Sequence, residues 1–277
     1  MKRATISADI IASSSLSSEE LDRLTQWIHT LFTEIRAYQE HLITARLNFL
    51  EFSTLSDFKK FSIAQKYIDK TKEGGETFGI RMRLVAGDLI ECLLLYPNDA
   101  LQMTLSLKAG IKSFPLDNTV KQGSTTKKYR KLFETYGIRA AIGIGEMDMK
   151  LSDKGIWNGE AIYLSGRRIT EQKTSNKERV TIKNSLFFDS FSLDQKLIFQ
   201  PMLSLLDTLF TKMTRKQSEI IYHRLIGRSE QEIADNLKIS QSSVNQHLKK
   251  AGWGAIKESL DLFSYFDFQD SPKINLH

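Results

Sequence analysis

A run of short polar and basic side chains near the C-terminus has the composition of a DNA-reading surface. Hydroxyl and amide groups of this length can hydrogen-bond to base edges in a groove, whereas lysines can neutralise phosphates. The candidate DNA-binding residues are Ser240, Gln241, Ser242, Ser243, Asn245, Gln246, Lys249 and Lys250. Val244 and Leu248 interrupt the run four residues apart, which predicts a helix with one buried side.

The residues around this run predict three helices separated by short breaks. Gly227 is suited to end the first helix, because glycine adopts left-handed backbone conformations at little cost. Each helix follows a hydroxyl residue that can accept a hydrogen bond from its first turn. These capping residues are Thr214, Ser229 and Ser240.

The run EIADNLKISQSSVNQHLKKA closely resembles the helix-turn-helix of the LuxR type and of sigma-factor region 4. The resemblance implies that residues 212–266 form an all-α module that binds double-stranded DNA. Two other interpretations remain open, namely a helical hairpin whose polar face only contacts water, and a degenerate module kept for dimerisation.

Two aspartates in the N-terminal half could hold a cation. Asp9 lies among residues that predict a strand, where an uncompensated carboxylate is costly, and this favours a metal or a cationic partner. Asp88 follows Gly87 between two predicted strands. Each aspartate could instead cap a turn or a helix.

Four segments of the first 170 residues resemble the catalytic domain of class III nucleotidyl cyclases and its smaller relatives in the SatD family. They are ISADIIAS, AGDLIECLL, GIRAAIGIG and NGEAIYLSGRRI. The resemblance implies a ferredoxin-like sheet in which Asp9 and Asp88 bind Mg²⁺ or Mn²⁺ together with a nucleotide. It also implies that Arg167 stabilises the transition state of the cyclase reaction.

The positions that select the purine and orient the ribose differ from the cyclase pattern. They correspond to Leu84, Ile156 and Tyr163. The favoured hypothesis is a DNA-binding transcriptional regulator whose cyclase-like domain is catalytically degenerate and serves as a sensor or dimerisation unit. The alternative is a metal-dependent nucleotide-binding or nucleotidyl-transfer enzyme that is localised by its helix-turn-helix. Both resemblances imply a homodimer, and a pure interaction scaffold is a third reading.

The hydrophobic pattern predicts the elements that position these residues. Ser17 and Glu20 form a capping box before a long amphipathic helix, and residues 55–70 predict a shorter helix. The predicted order up to residue 172 is strand, helical segment, strand, strand, helix, strand and helix. The glycines of GIGIGE are interpreted as strand packing positions. The prediction is an α+β fold with an antiparallel-rich sheet and helices on one face, followed by the helix-turn-helix.

Domain boundaries follow from the same pattern. Residues 1–172 form the cyclase-like domain, 173–211 a linker strand with a connecting helix, 212–266 the helix-turn-helix, and 267–277 a tail. The net charge of +6 is compatible with nucleic acid. We expect a cytoplasmic protein without a membrane span, because no apolar run approaches the roughly 20 residues that a span requires.

Composition and motifs argue against several other classes of site. The lone Cys92 lies in an apolar run and excludes a disulfide framework. The histidines show no metal-ligand spacing, and neither a Walker motif nor a serine–histidine–acid constellation is present.

Overall fold

The computed structural model describes residues 1–48, 79–117, 124–148, 155–171 and 182–269, and these residues form a mixed α+β molecule. The helix predicted at 55–70 lies outside the described residues. The five strands are β1 Lys2–Ile10, β2 Ile80–Val85, β3 Leu89–Leu94, β4 Ile138–Glu146 and β5 Leu186–Ser190. The helices of the described part are α1 Ser18–Asn48, α2 Ala100–Lys112, α3 Ser124–Tyr136, α4 Glu160–Glu171, α5 Leu193–Lys212, α6 Arg215–Leu225, α7 Glu230–Leu237, α8 Gln241–Lys250 and α9 Trp253–Tyr265.

The strands form one sheet in the order β2–β3–β1–β4–β5. The first three neighbouring pairs are antiparallel, and β4 pairs with β5 in parallel. The prediction of an antiparallel-rich sheet is confirmed. Strand β1 lies at the centre, where Asp9 is paired with Leu89 on one side and with Arg139 on the other.

One face of the sheet carries the main hydrophobic core. Alternate residues of β1, such as Ile6 and Ala8, are fully buried there with Ile28 of α1 and Met103 of α2. The period of two along a strand places these side chains on the same face. The predicted capping box begins α1, because the Ser17 hydroxyl accepts from the Glu20 backbone and the Glu20 carboxylate accepts from the Ser17 backbone.

Helix α4 covers the opposite face, so the prediction that all helices lie on one face was wrong. The hydroxyls of Thr5 and Ser7 on β1 lie 2.9 and 2.8 Å from the Ser165 hydroxyl of α4. Gly143 and Gly145 on β4 let the helix approach closely, since they have no side chains. The hydrophobic pattern did not predict this second helical layer, because small and hydroxyl residues, rather than large apolar ones, form much of the contact between α4 and the sheet.

Substitution of Gly143 tests this close packing. A Cβ atom at this position would lie 2.2 Å from the carbonyl oxygen of Ala161 and 2.7 Å from the backbone nitrogen of Ser165. We expect Gly143→Ala to lower the free energy of unfolding by about 1–3 kcal/mol, because backbone atoms of α4 must move. Urea denaturation measures the change.

Gly166→Ala on α4 is the matched control, because a Cβ atom there meets nothing within 4 Å. It should stabilise the protein by up to about 1 kcal/mol through helix propensity. If both variants unfold at the same urea concentration, the close approach at Gly143 does not occur.

Among the described residues, the main hydrophobic core extends without a break from the sheet to the C-terminal helices. Residues 173–211 were predicted as a linker strand with a connecting helix; in the structure β5 lies at the edge of the sheet and Phe199 of α5 is fully buried. Residues 267–277 were predicted as a tail, yet Phe268 is only 1% exposed and packs with Phe199. The three helices α6, α7 and α8 are therefore connected to the sheet through packed elements on both sides.

Buried polar contacts fix the inner side of α5. Asp207 accepts hydrogen bonds from the backbone and the hydroxyl of Ser185, and it lies 3.4 Å from the Lys108 ammonium. Lys112 donates to the carbonyl oxygen of Phe210. Burial lowers the pKa of Lys108 and lowers that of Lys112 to about 7. A buried polar group without its partners is costly. These contacts therefore fix the orientation of α5 about its own axis.

Candidate nucleic-acid interface

Helix α8 presents the candidate DNA-binding residues on one side and packs with the other. Val244 and Leu248 are buried against the neighbouring helices. The residues on the outer side are exposed: Gln241, Ser242, Gln246, Lys249 and Lys250. Ser240 at the start of the helix is also exposed, whereas Ser243 and Asn245 are half-buried. The structure therefore brings the predicted residues together on one helical surface.

The predicted caps are confirmed for all three helices. Thr214 accepts from the Gln217 backbone, Ser229 from the Glu232 backbone, and Ser240 from the Ser243 backbone. Gly227 has φ +85°, as predicted for the end of α6. Lys238 adopts φ +53° at the end of α7 and allows the sharp turn into α8.

An acidic residue that the sequence analysis did not single out lies beside the candidate surface. The Asn245 amide is 3.3 and 3.4 Å from the two carboxylate oxygens of Glu230 in the first turn of α7. This contact uses the amide nitrogen of Asn245 and leaves its carbonyl oxygen unengaged by Glu230. The acidic position is visible in the sequence, but its proximity to Asn245 depends on how α7 and α8 cross.

A polar network joins this helical segment to α1. The Glu34 carboxylate accepts hydrogen bonds from the Tyr222 hydroxyl at 2.6 Å and from Arg228 at 2.9 Å. Arg228 also donates to Nδ1 of His223 at 3.0 Å. Burial, followed by the positive charge of Arg228, lowers the pKa of His223. His223 is therefore a neutral acceptor at pH 7, and the segment is held in a defined orientation on α1.

The two aspartates that were predicted to bind a metal lie in different surroundings. Both carboxylate oxygens of Asp9 accept hydrogen bonds from Arg139, at 3.0 and 2.6 Å. Asp88 lies exposed in the β2–β3 turn, where its carboxylate is 3.5 Å from the Ser13 hydroxyl. The described residues contain no group of three His, Cys, Asp or Glu side chains that could hold a metal ion. Arg139 already neutralises Asp9, and a cation bound there would have to share the carboxylate with this guanidinium, so the residues fit a two-metal centre poorly.

Arg167 lies in a different ionic cluster. Its guanidinium is 3.1 Å from the carboxylate of Asp189 on β5, which Arg168 and Lys196 also approach. The Tyr163 ring lies 5.5 Å from the Arg167 guanidinium. Arg167 and Asp9 thus have separate ionic partners. Of the positions that correspond to purine readers, Leu84 is half-buried and Ile156 is exposed.

No family model, curated protein or solved structure matches this chain. The resemblances to the LuxR and SatD types therefore stay predictions, and function must be argued from the geometry. Within the described ranges, no helix combines the length and apolar composition that crossing a membrane requires.

Proposed function

We propose that the protein is a DNA-binding regulator and that α6, α7 and α8 form a helix-turn-helix. The observation that carries this proposal is α8, which buries Val244 and Leu248 and presents amides, hydroxyls and two lysines on one exposed side. This is the composition and arrangement that a recognition helix needs in a major groove. The short, capped α7 preceding α8 supports the same assignment.

We assign a sensor or dimerisation role to the sheet domain rather than a catalytic one. Strands β1 to β4, together with α1 and α2, have the order and directions of a ferredoxin-like fold, which supports the cyclase-like resemblance. The alternative of metal-dependent nucleotidyl transfer needs carboxylates that are available to a cation. The bidentate pairing of Asp9 with Arg139 counts against it.

Substitution of both lysines of α8 tests the DNA-binding assignment. We expect Lys249→Ala and Lys250→Ala each to reduce the slope of log K against log salt by about 1, because each lost phosphate contact releases one fewer counterion. Fluorescence anisotropy with a labelled random-sequence duplex, at salt concentrations from about 50 to 200 mM, measures the slope.

Lys257→Ala is the matched control, because this exposed lysine lies on α9 and pairs with Asp261 at 2.6 Å. Its salt slope should equal that of the unmodified protein. An unchanged slope in the double variant at Lys249 and Lys250, with circular dichroism showing a folded protein, would rule out the proposed phosphate contacts.

A further inference from the structure

A carboxylate and an amide meet where α7 and α8 cross. The side-chain nitrogen of Asn245 donates toward both carboxylate oxygens of Glu230, at 3.3 and 3.4 Å. Glu230 is the first residue of α7, so its charge lies at the end of the helix that favours an anion. Both side chains are half-buried. The contact therefore lies at the border between the packed side and the exposed side of α8.

The carboxylate decides which way the Asn245 amide is turned. A carboxylate only accepts hydrogen bonds, and in an amide side chain only the nitrogen donates them. The nitrogen of Asn245 must therefore face Glu230. Because the amide group is planar, its oxygen then lies on the other side of Cγ from the nitrogen. The opposite rotation would bring two acceptors together and is disfavoured.

The oxygen of the Asn245 amide keeps its capacity to accept hydrogen bonds. Within the described residues, no hydrogen bond engages Oδ1 of Asn245, and this oxygen is not a buried atom without a partner. A polar atom that is neither bonded within the fold nor buried is accessible to a ligand. Glu230 therefore engages the donor end of this side chain and leaves the acceptor end to an outside partner.

Asn245 lies in the middle of the polar side of α8. Gln241, Asn245 and Lys249 follow one another at intervals of four residues, so they form one stripe along the helix. Gln241 and Lys249 are exposed, and so is Ser242, three residues before Asn245. A groove that receives this side of α8 therefore meets Asn245 between its two neighbours on the stripe.

An oxygen acceptor distinguishes bases by the groups at their major-groove edges. Adenine and cytosine present amino groups there, at N6 and N4, whereas guanine and thymine present only acceptors. Every base pair carries one such amino group, so the oxygen distinguishes which strand holds it. An asparagine with a free amide hydrogen-bonds to adenine through both of its polar atoms. An asparagine whose nitrogen is held accepts from adenine and cytosine alike.

We infer that Glu230 is a positioning residue, which turns Asn245 so that its carbonyl oxygen accepts a hydrogen bond from adenine or cytosine on one strand of a bound duplex. The inference rests on the proposed DNA-binding function and adds the class of base that α8 reads. A carboxylate close to a polyanion lowers affinity for every sequence. Selectivity at one base pair therefore explains an acidic residue beside this surface better than affinity does.

Selection from a library of random-sequence duplexes tests the inference with the full chain. Duplexes bound by the unmodified protein should contain a position at which adenine or cytosine on one strand exceeds guanine or thymine about threefold to tenfold, the effect of one hydrogen bond. Asn245→Ala identifies this position. The preference there should fall below about twofold, because the accepting oxygen is gone, while the preferences at other positions remain.

Glu230→Gln tests the positioning role. Glutamine has nearly the same shape as glutamate, but its amide can turn either its oxygen or its nitrogen toward Asn245. Asn245 can then present either polar atom to a base, so the preference should fall below about twofold at the same position and at no other. The capping box of Ser229 and Glu232 does not use the Glu230 side chain, so α7 stays capped.

Asp235→Asn is the matched control, because it removes another carboxylate from the same helix. Asp235 is exposed, accepts a hydrogen bond from Gln231 and lies about 140° round the helix from Glu230. The base preferences of this variant should equal those of the unmodified protein. The readout is a ratio between bases at one position, since removal of a negative charge raises affinity for every sequence. Circular dichroism shows that each variant is folded.

Four results would overturn the inference in a chain that binds DNA. They are selected sequences that Asn245→Ala does not change, a preference for guanine or thymine at the position that it identifies, a full preference retained in Glu230→Gln, and an equal loss in Asp235→Asn. In each of these cases salt-dependent binding to duplex DNA leaves the proposed function standing. A chain that binds no duplex refutes the proposed function and the role of Glu230 together.

Discussion

Glu20→Ala is expected to lower the free energy of unfolding by about 3–5 kcal/mol, because it leaves a buried guanidinium without its partner. Arg130 of α3 donates two hydrogen bonds to the Glu20 carboxylate, at 2.7 and 2.8 Å. The same carboxylate accepts from the backbone nitrogens of Ser17 and Asp117. One side chain therefore caps α1, binds α3 and holds the backbone at Asp117.

The control and a double variant separate these contributions. Glu19→Ala removes an exposed acidic residue from the same helical turn and should cost less than about 1 kcal/mol. The pair Glu20→Ala with Arg130→Met should be less destabilised than Glu20→Ala alone, because no unpaired charge remains. Urea denaturation measures the free energy of unfolding of each variant. If Glu20→Ala lowers it by less than about 1 kcal/mol, the ion pair is not buried as described.

Glu20 also predicts how the stability of the protein depends on pH. The hydrogen bonds from Arg130 hold the pKa of the Glu20 carboxyl below its ordinary value of 4.5, although burial opposes them. The depressed pKa means that the unfolded chain binds the proton more tightly. The contribution of Glu20 to stability is therefore present above pH 4.5 and is lost as the pH falls through the folded-state pKa. Glu20→Gln should show a shallower loss of stability in this range.

Phe268→Ala should also lower the free energy of unfolding by about 3–5 kcal/mol, because it leaves a cavity in an aromatic cluster. Its ring centroid lies 4.9 Å from that of Phe263 and 5.5 Å from that of Phe199. Phe199 in turn packs 5.1 Å from Phe188 on β5. Phe268 thus completes the core beside the edge of the sheet, and truncating this side chain should destabilise the whole molecule.

Urea denaturation followed by circular dichroism measures this loss, with Leu262→Ala as the control. Leu262 is half-exposed on α9, so its truncation should change the free energy of unfolding by less than about 1 kcal/mol. If Phe268→Ala behaves like Leu262→Ala, the residues after α9 do not contribute to the core. A loss confined to the helical segment, with the sheet unfolding at its original midpoint, would also contradict the single continuous core.

Features that depend on neighbouring residues could be predicted from the sequence. The capping boxes at Ser17 and Thr214 need only residues three apart. The buried sides of β1 and α8 follow from periods of two and about 3.6 residues. The candidate DNA-binding residues were found for the same reason, because one helical period separates them from Val244 and Leu248.

Features that join distant residues were decided only by the tertiary structure. Asp9 was interpreted as a metal ligand or the partner of a cation, but nothing in the local pattern indicates that the cation is Arg139 on a neighbouring strand. The contact of Glu34 with Arg228 joins α1 to the turn between α6 and α7. Such pairs depend on strand order and helix docking, which the local pattern does not encode.

The position of the chain after α9 illustrates the same limit most directly. Phe268 was predicted to belong to a tail after the last helix, whereas in the structure it is buried beside Phe199. Local sequence thus determined which residues form helices, caps and apolar faces. Only tertiary packing decided which faces meet and which charges pair, because burial is a property of the whole folded chain.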